Sequence, residues 1–200
     1  MNYLEFLASK RKSVNFKSLE VSRSELNPAL FEYQKDLVYL ALKRGHFAIF
    51  AMTGSGKTAM QAEWAYQIWL KEQKPILILA PLAVAHQSVD EIKEILGYDV
   101  KYCESDADVI NGLNITNYEK LDKFDPRVFV ALVLDESSRI KSYTSKARDA
   151  IIESFKSTPY KLACSATPSP NDYTELGNHT EFLNIMSLTE MLSTYFVHDG

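Results

Sequence analysis

Residues 48–60, which read "AIFAMTGSGKTAM", constrain the chain more than any other stretch. A short apolar run enters a turn that contains Gly54 and Gly56, and a helix-forming segment opens with Lys57 and Thr58. Glycines let several backbone N–H groups point to the inside of such a turn, and the helix N-terminus adds the positive end of its dipole. A strand, a glycine-rich turn and a helix in this order therefore predict a loop that binds phosphate groups.

The side chains of this loop indicate how it would hold a nucleotide. We expect Lys57 to reach the β- and γ-phosphates and the hydroxyl of Thr58 to hold Mg²⁺. A further glycine often begins such a loop, and here Ala51 stands in its place. The alternative is a chance glycine-rich turn, which the preceding strand and the following helix argue against. The predicted phosphate-binding residues are Thr53, Gly54, Ser55, Gly56, Lys57 and Thr58.

Short apolar segments alternate with amphipathic ones along the rest of the chain. Strands buried on both faces are apolar throughout, and strands that alternate with helices indicate a parallel sheet. We therefore predict one α/β domain with a mainly parallel sheet and helices on both faces. Strands are expected at 46–52, 75–80, 99–103, 113–118, 128–136 and 160–166. Helices are expected at 29–45, 57–73, 83–96, 144–156, 172–183 and 187–196.

The composition excludes several classes of protein. With 200 residues, of which 46% are hydrophobic, the chain can bury a substantial core. Its formal net charge of −4 gives no general attraction to nucleic acid, so a polyanionic partner would have to contact a local surface. Cys103 and Cys164 show no metal-ligand spacing, and the longest nearly apolar stretch, 75–85, is too short to cross a bilayer. We expect a cytoplasmic protein without a membrane span.

A pair of carboxylates ends the apolar run at 128–136. Such a pair after a strand is often only the start of a helix or a solvated loop. Combined with the phosphate-binding loop, it supplies an acidic ligand for the metal ion, which that loop lacks. We expect Asp135 to hold Mg²⁺ and Glu136 to polarise an attacking water.

The strand at 160–166 runs into "CSATP", residues 164–168. By default, Ser165 and Thr167 would only cap a local turn. Open α/β sheets, however, bind ligands at the carboxyl ends of their strands. Strands that end near positions 52, 135 and 164 would deliver polar side chains to one edge of the sheet, which favours a shared site.

Together these segments resemble the first RecA-like lobe of superfamily-two helicases and translocases, from about residue 29 to residue 196. "MTGSGKT" resembles motif I, "VLDESSRIK" resembles motif II and "SATP" resembles motif III. "ILAPLAVAHQSVDEI" is similar to motif Ia and "ITNYEKL" to motif Ib, while "FEYQKDLV" places Gln34 where the family reads adenine. The resemblance implies ATP and Mg²⁺ as cofactors. It also implies that Ser165 and Thr167 couple the nucleotide site to nucleic acid.

Within the superfamily, the chain looks more like the Swi/Snf-type translocases of duplex DNA than like the DEAD-box RNA helicases. DEAD-box proteins carry Asp-Glu-Ala-Asp and a Thr-Arg-Glu-Leu segment in motif Ia, and this sequence has neither. Its compact form resembles small Swi/Snf-like proteins of bacteriophages and bacteria. Ser137 and Ser138 depart from the Ala-His or Ala-Asp usual in the family, in the segment that would link motifs II and III.

The resemblance further implies a nucleic-acid face on motifs Ia and Ib, with DNA favoured over RNA. The residues expected there, with phosphate contacts through backbone and hydroxyl groups, are Pro81, Leu82, Thr116 and Asn117. The alternative for the last two is an ordinary cap between a strand and a helix.

We divide the chain into an N-terminal extension, 1–28, and an ATP-binding lobe, 29–200. The family's second RecA-like lobe, which carries an arginine finger, is expected to be missing from this sequence, so the isolated lobe should hydrolyse ATP weakly or not at all. Two functions stay open: a nucleic-acid-dependent ATPase of the helicase or translocase type, and a nucleotide-switched DNA-binding accessory module without motor activity. Glu136 favours the first, because a pure binding module does not need a carboxylate that activates water.

Overall fold

Six parallel strands form the central sheet of the structure, a computed structural model that describes residues 16–142 and 145–196. Neighbouring strands follow the order β1-β6-β5-β2-β4-β3. They are β1 (His46–Phe50), β2 (Ile76–Ala80), β3 (Val100–Tyr102), β4 (Leu113–Asn117), β5 (Ala131–Asp135) and β6 (Tyr160–Ser165). Because every pairing is parallel, the carboxyl ends of all the strands lie along one side of the sheet, which we call the carboxyl edge.

The part of the chain that the structure describes also contains six α-helices. They are α1 (Glu32–Arg44), α2 (Lys57–Glu72), α3 (Leu82–Leu96), α4 (Ser145–Ser154), α5 (Leu176–Phe182) and α6 (Leu188–Tyr195). Short 3₁₀ helices lie at Arg23–Glu25, Asp106–Asp108, Tyr118–Lys123, Pro126–Val128, Ser137–Ser142 and Tyr173–Glu175. None of the helices in these described segments is both long and apolar enough to cross a membrane.

Helices cover both faces of the sheet, and each face has its own apolar cluster. Ile76 and Ile78 of β2 pack in the cluster that contains α1, α2 and α3, whereas Leu77 and Leu79 pack on the opposite face with α4 and α5. All of these β2 side chains are fully buried. Burial of one such side chain stabilises the fold by about 2 kcal/mol. A polar side chain at the same position would lose this contribution. Most of the polar chemistry is therefore left to the strand ends.

The predicted α/β fold with a parallel sheet is confirmed, and every predicted strand and helix matches an observed element, although α3 begins at Leu82, one residue before the predicted range 83–96. The first helix begins at Glu32 instead of residue 29, because Asn27 forms a turn before it. The main-chain oxygen of Asn27 accepts from the N–H of Leu30 at 3.1 Å, and its side chain accepts from the N–H of Ala29 at 3.0 Å. The 3₁₀ helices were not predicted, since none is long enough to show a hydrophobic period.

Part of the predicted N-terminal extension, 1–28, packs against the rest of the lobe. Leu19 and Leu26 are buried members of the cluster that contains α1, α2 and α3. Residues 1–15 lie outside the described residues, as does residue 144 at the start of the predicted helix at 144–156. The division of the chain at residue 28 stays a prediction.

One charged side chain is fully buried within the sheet. Lys161 of β6 has no exposed surface, and its Nζ donates to the main-chain oxygen of Phe182 at 3.0 Å. Burial lowers the pKa of Lys161 to about 8. In the unfolded chain the pKa of this group would be about 10.4. Between about pH 8 and pH 10.4 the unfolded state therefore binds more protons than the folded state. The free energy of unfolding therefore rises with pH in this window.

We expect Lys161→Met to raise the free energy of unfolding at pH 7 by about 1–3 kcal/mol, because it removes a buried ammonium group. The gain should shrink at about pH 9.5, where the folded wild-type side chain is mostly neutral. Urea denaturation at the two pH values measures both effects. Lys123→Met, at an exposed position, is the control and should stay within about 0.5 kcal/mol of the wild type. An equal gain at both pH values would contradict the assigned cause.

Candidate active site

Three neighbouring strands bring polar side chains to the carboxyl edge. β1 ends at Phe50 and leads into the glycine-rich loop, β5 ends at Asp135, and β6 ends at Ser165. These strands are adjacent, in the order β1-β6-β5. The structure therefore brings the predicted phosphate-binding loop, the carboxylate pair and the Ser-Ala-Thr segment to one place.

The glycine-rich loop between β1 and α2 has the backbone that its sequence predicts. Gly54 and Gly56 have φ angles of 80° and 73°, a left-handed conformation that residues with side chains rarely adopt. Lys57 begins α2, and its Nζ donates to the main-chain oxygens of Ala51 at 3.0 Å and Met52 at 3.1 Å. The ammonium group thus lies against the start of the loop.

Gln34 contacts this loop from α1. Its Nε2 donates to the main-chain oxygen of Ser55 at 3.0 Å, and the hydroxyl of Tyr33 donates to the same oxygen at 2.9 Å. Its Oε1 accepts from the main-chain N–H of Phe31 at 2.9 Å. A Cβ on Gly56 would lie 2.3 Å from Gln34 Nε2, so the close approach requires glycine. Gln34 is therefore joined to the loop, while its contact with adenine stays a prediction.

Two aromatic rings beside this contact were missed by the sequence analysis. Phe31 and Tyr33 are 68% and 48% exposed, their ring centroids are 6.1 Å apart, and their planes are inclined by 10°. Aromatic rings in this orientation offer a flat surface on which another planar ring can stack. The sequence "FEYQ", with two aromatics directly before Gln34, is the pattern that could have indicated them.

Asp135 and Glu136 have different surroundings although they are adjacent in the chain. Burial raises the pKa of Asp135 to about 6, a hydrogen bond with the Gln61 side chain opposes this rise, and the neighbouring Glu136 adds to it. A cation beside Asp135 would relieve the unfavourable burial of its charge. Glu136 has a φ angle of 52°, which is unfavourable by about 1–2 kcal/mol for a residue with a side chain.

Two serine hydroxyls hold the carboxylate of Glu136. Ser165 Oγ and Ser138 Oγ each donate to Glu136 Oε1, both at 2.7 Å. Ser165 Oγ also accepts from the main-chain N–H of Thr167 at 3.0 Å. The segments predicted to be coupled are therefore in direct contact, whereas the coupling itself stays a prediction. Ser138 was not among the predicted site residues.

The residues predicted to contact nucleic acid lie where β2 and β4 end. Pro81 is buried, and Leu82 after it is 55% exposed. Thr116 is fully buried, and its hydroxyl donates to the main-chain oxygen of Cys103 at 2.8 Å. Asn117 is 1% exposed. In this structure the last two side chains offer no polar group at the surface, so contact with nucleic acid would require the end of β4 to open.

Tyr118, which the sequence analysis did not single out, connects this region to the carboxylate pair. It directly follows β4, is almost fully buried, and its hydroxyl donates to the main-chain oxygen of Asp135 at 2.8 Å. Since β2 lies between β4 and β5, the Tyr118 side chain spans the end of β2. Such a contact depends on strand order, which the local sequence does not contain.

The groups at the site fit a nucleotide and Mg²⁺. Ser55 Oγ and Gln61 Oε1 are buried without a hydrogen-bond partner, although such atoms normally have one. Thr53 is exposed in the loop, and Thr58 lies in the first turn of α2. Over residues 16–142 and 145–196, no group of three or more His, Cys, Asp and Glu could hold a metal ion. Mg²⁺ suits such a site, because it keeps several waters and takes one or two protein carboxylates, here Asp135.

The fold and the arrangement of this edge define the first RecA-like lobe of a superfamily-two helicase. The sequence matches the family described as Type III restriction enzyme, res subunit (ResIII), over residues 27–170, and the chain belongs to this family. A comparison with the sequences of curated proteins gave no match.

Solved helicase structures share the fold at low sequence identity. The UvsW helicase from Bacteriophage T4 is 19% identical with a TM-score of 0.68, and the match covers 86% of this chain and 68% of that one. The Sulfolobus solfataricus SWI2/SNF2 ATPase core in complex with dsDNA is 22% identical with a TM-score of 0.67, over 89% and 41%. The Pyrococcus furiosus Hef helicase domain is 16% identical with a TM-score of 0.62, over 76% and 36%. This chain thus spans less than half of the last two.

Asp135→Asn should raise the free energy of unfolding at pH 7 by about 1–2 kcal/mol, because it removes a buried charge. The folded pKa of about 6 lies above the unfolded value of about 3.9, so the destabilisation by Asp135 is complete above pH 6 and disappears as the pH falls to about 4. Urea denaturation at pH 7 and pH 4.5, without nucleotide or divalent cations, measures the gain.

The exposed Asp122→Asn is the matched control for this measurement and should leave stability nearly unchanged at both pH values. A gain for Asp135→Asn that is as large at pH 4.5 as at pH 7 would show that charge burial is not its cause.

Proposed function

We propose that this lobe binds and hydrolyses ATP with Mg²⁺ as part of a nucleic-acid-dependent ATPase of the helicase or translocase type that acts on duplex DNA. The observation that carries the proposal is the hydrogen bond from Ser165 to Glu136, at the edge where the glycine-rich loop and Asp135 also lie. It joins Glu136, the carboxylate proposed to activate a water, to the end of β6. A protein that only binds a nucleotide does not need this connection.

The nucleotide phosphates would be held by the main-chain N–H groups of the glycine-rich loop, by the N-terminus of α2 and by Lys57. The Lys57 ammonium group, which now donates to two main-chain oxygens, would exchange them for phosphate oxygens. Thr58 and Asp135 would hold Mg²⁺, which neutralises phosphate charge and polarises the phosphoryl group when bound. Gln34 and the exposed ring of Phe31 would contact the adenine base.

Asp135 and Glu136 would have different roles, because their surroundings differ. Burial opposes the charge of Asp135, so this residue would benefit from a cation. Glu136 has one carboxylate oxygen held by two hydroxyls, so the other can orient and deprotonate a water. An arginine from a second RecA-like lobe would complete the site, and without it turnover would fall on the order of a thousandfold.

Duplex DNA is the proposed partner of the loops that follow β2 and β4, at the carboxyl edge. The N-terminus of α3 has no acidic residue in its first turn, so its free N–H groups suit a phosphate. Pro81 and the exposed Leu82 stand at this helix start. The similar SWI2/SNF2 ATPase core was solved with dsDNA, which supports the choice. Thr116 and Asn117 would join the contact only after the end of β4 opens.

ATP hydrolysis by this chain and by the protein at its natural length tests the proposal. Each is assayed without nucleic acid, with duplex DNA, with single-stranded DNA and with RNA. We expect duplex DNA to raise turnover of the natural-length protein about tenfold or more, and Glu136→Gln to lower turnover to a small residual rate while ATP still binds. Tight ATP binding without turnover under every condition would favour the nucleotide-switched DNA-binding module instead. Stimulation by RNA alone would contradict the choice of DNA.

Gly56→Ala should weaken ATP binding about tenfold or more, because its methyl group would displace the Gln34 amide from the loop. Gly97→Ala is the matched control, since Gly97 also has a positive φ, 76°, but a Cβ there would meet no atom within 4 Å. Both variants should lose about 1 kcal/mol of unfolding free energy. Fluorescence titration with an ATP analogue gives the affinities, and equal affinities in the two variants would contradict the proposed role of the contact.

A further inference from the structure

Ser138 makes a contact that the family resemblance does not explain. It lies in the 3₁₀ helix Ser137–Ser142, directly after the carboxylate pair. Its Oγ donates to Glu136 Oε1 at 2.7 Å, and Ser165 Oγ donates to the same oxygen at 2.7 Å. One carboxylate oxygen therefore receives two short hydrogen bonds from two separate segments of the chain.

This arrangement leaves Glu136 Oε2 as the oxygen available to a water. A carboxylate oxygen has two lone-pair directions, and the two hydroxyl donors occupy both on Oε1. Hydrogen bonds to a charged acceptor are about twice as strong as those between neutral groups. Two of them together therefore fix the direction of the whole carboxylate, whereas one alone would leave it free to rotate about that bond.

The main chain brings Ser138 to this position by a tight turn. Glu136 has a φ angle of 52°, and the N–H of Arg139 donates to the main-chain oxygen of Glu136 at 2.9 Å. The chain thus reverses directly after β5, and the side chain at 138 meets the side chain at 136. The unfavourable φ of Glu136 is a condition of this contact.

A purely local role in the turn does not account for Ser138. The neighbouring Ser137 belongs to the same turn, is 1% exposed, and its Oγ has no hydrogen-bond partner in the structure. The turn therefore forms without using that hydroxyl. Ser138, by contrast, donates to the functional side chain of Glu136.

We propose that Ser138 is a positioning residue for ATP hydrolysis, which, together with Ser165, directs Glu136 Oε2 toward the attacking water. This inference rests on the function proposed above. Oε2 accepts a proton from the water while the water oxygen bonds to the γ-phosphorus and the bond to the β-phosphate oxygen breaks, which yields ADP and phosphate. Ser138 takes no part in the bond changes and acts through the orientation of Glu136.

The test uses the natural-length protein with duplex DNA. Ser138→Ala should lower kcat about tenfold while the KM for ATP and the thermal midpoint stay unchanged, because the lost bond orients the base and does not bind the substrate. Ser138→Thr keeps a hydroxyl and should restore most of kcat. Ser157→Ala, at an exposed position, is the matched control and should change neither parameter.

A double-mutant comparison separates positioning from a structural effect. In a Glu136→Gln protein, Ser138→Ala should leave the residual turnover unchanged, because the serine acts only through Glu136. If the wild type does not hydrolyse ATP at all, the proposed function fails and this inference fails with it. If the wild type is active and Ser138→Ala matches or exceeds its kcat, or slows the Glu136→Gln protein further, this inference alone is overturned.

Discussion

The parallel sheet is covered by helices on both faces, and the position of the site follows from that burial. In the central strand β2 every side chain is removed from solvent, so polar groups that serve a ligand cannot lie along it. They lie where strands end, and in a parallel sheet those ends lie together. The glycine-rich loop, the carboxylate pair and the Ser-Ala-Thr segment are distant in sequence and meet because β1, β6 and β5 are neighbours.

The groups at this edge are held in arrangements that would be unfavourable without a ligand. Burial opposes ionisation of Asp135, and Glu136 has a strained backbone angle. Ser55 Oγ and Gln61 Oε1 are buried without partners. Lys57 donates to carbonyl oxygens of its own loop instead of a carboxylate. A polyphosphate and a cation would satisfy the charges of Lys57 and Asp135 and the two unpaired oxygens together, which is the physical sense in which the edge is preorganised.

Most of the fold was predictable because its strands are short apolar runs with clear boundaries, and the glycine-rich loop followed from residue types at fixed spacing. What was missed depends on contacts between distant segments. Lys161 lies in an apolar strand, and its ammonium group donates to the main-chain oxygens of Lys156 and Phe182, which the strand sequence does not indicate. Thr116 looks like a polar strand end, yet its hydroxyl is used by the neighbouring strand end at Cys103. The contacts of Phe31 with Tyr33 and of Ser138 with Glu136 depend on how the chain folds locally, and the sequence alone does not predict them.

The contact from Tyr118 to the backbone of Asp135 has a mechanical consequence. The Tyr118 side chain crosses the end of β2 and links the end of β4 to the end of β5 through one hydrogen bond. A movement of the segment after β4 would reach the main chain of Asp135 through this one side chain and its hydrogen bond. Opening of the end of β4, which would expose Thr116 and Asn117, would therefore also have to move or break this hydrogen bond.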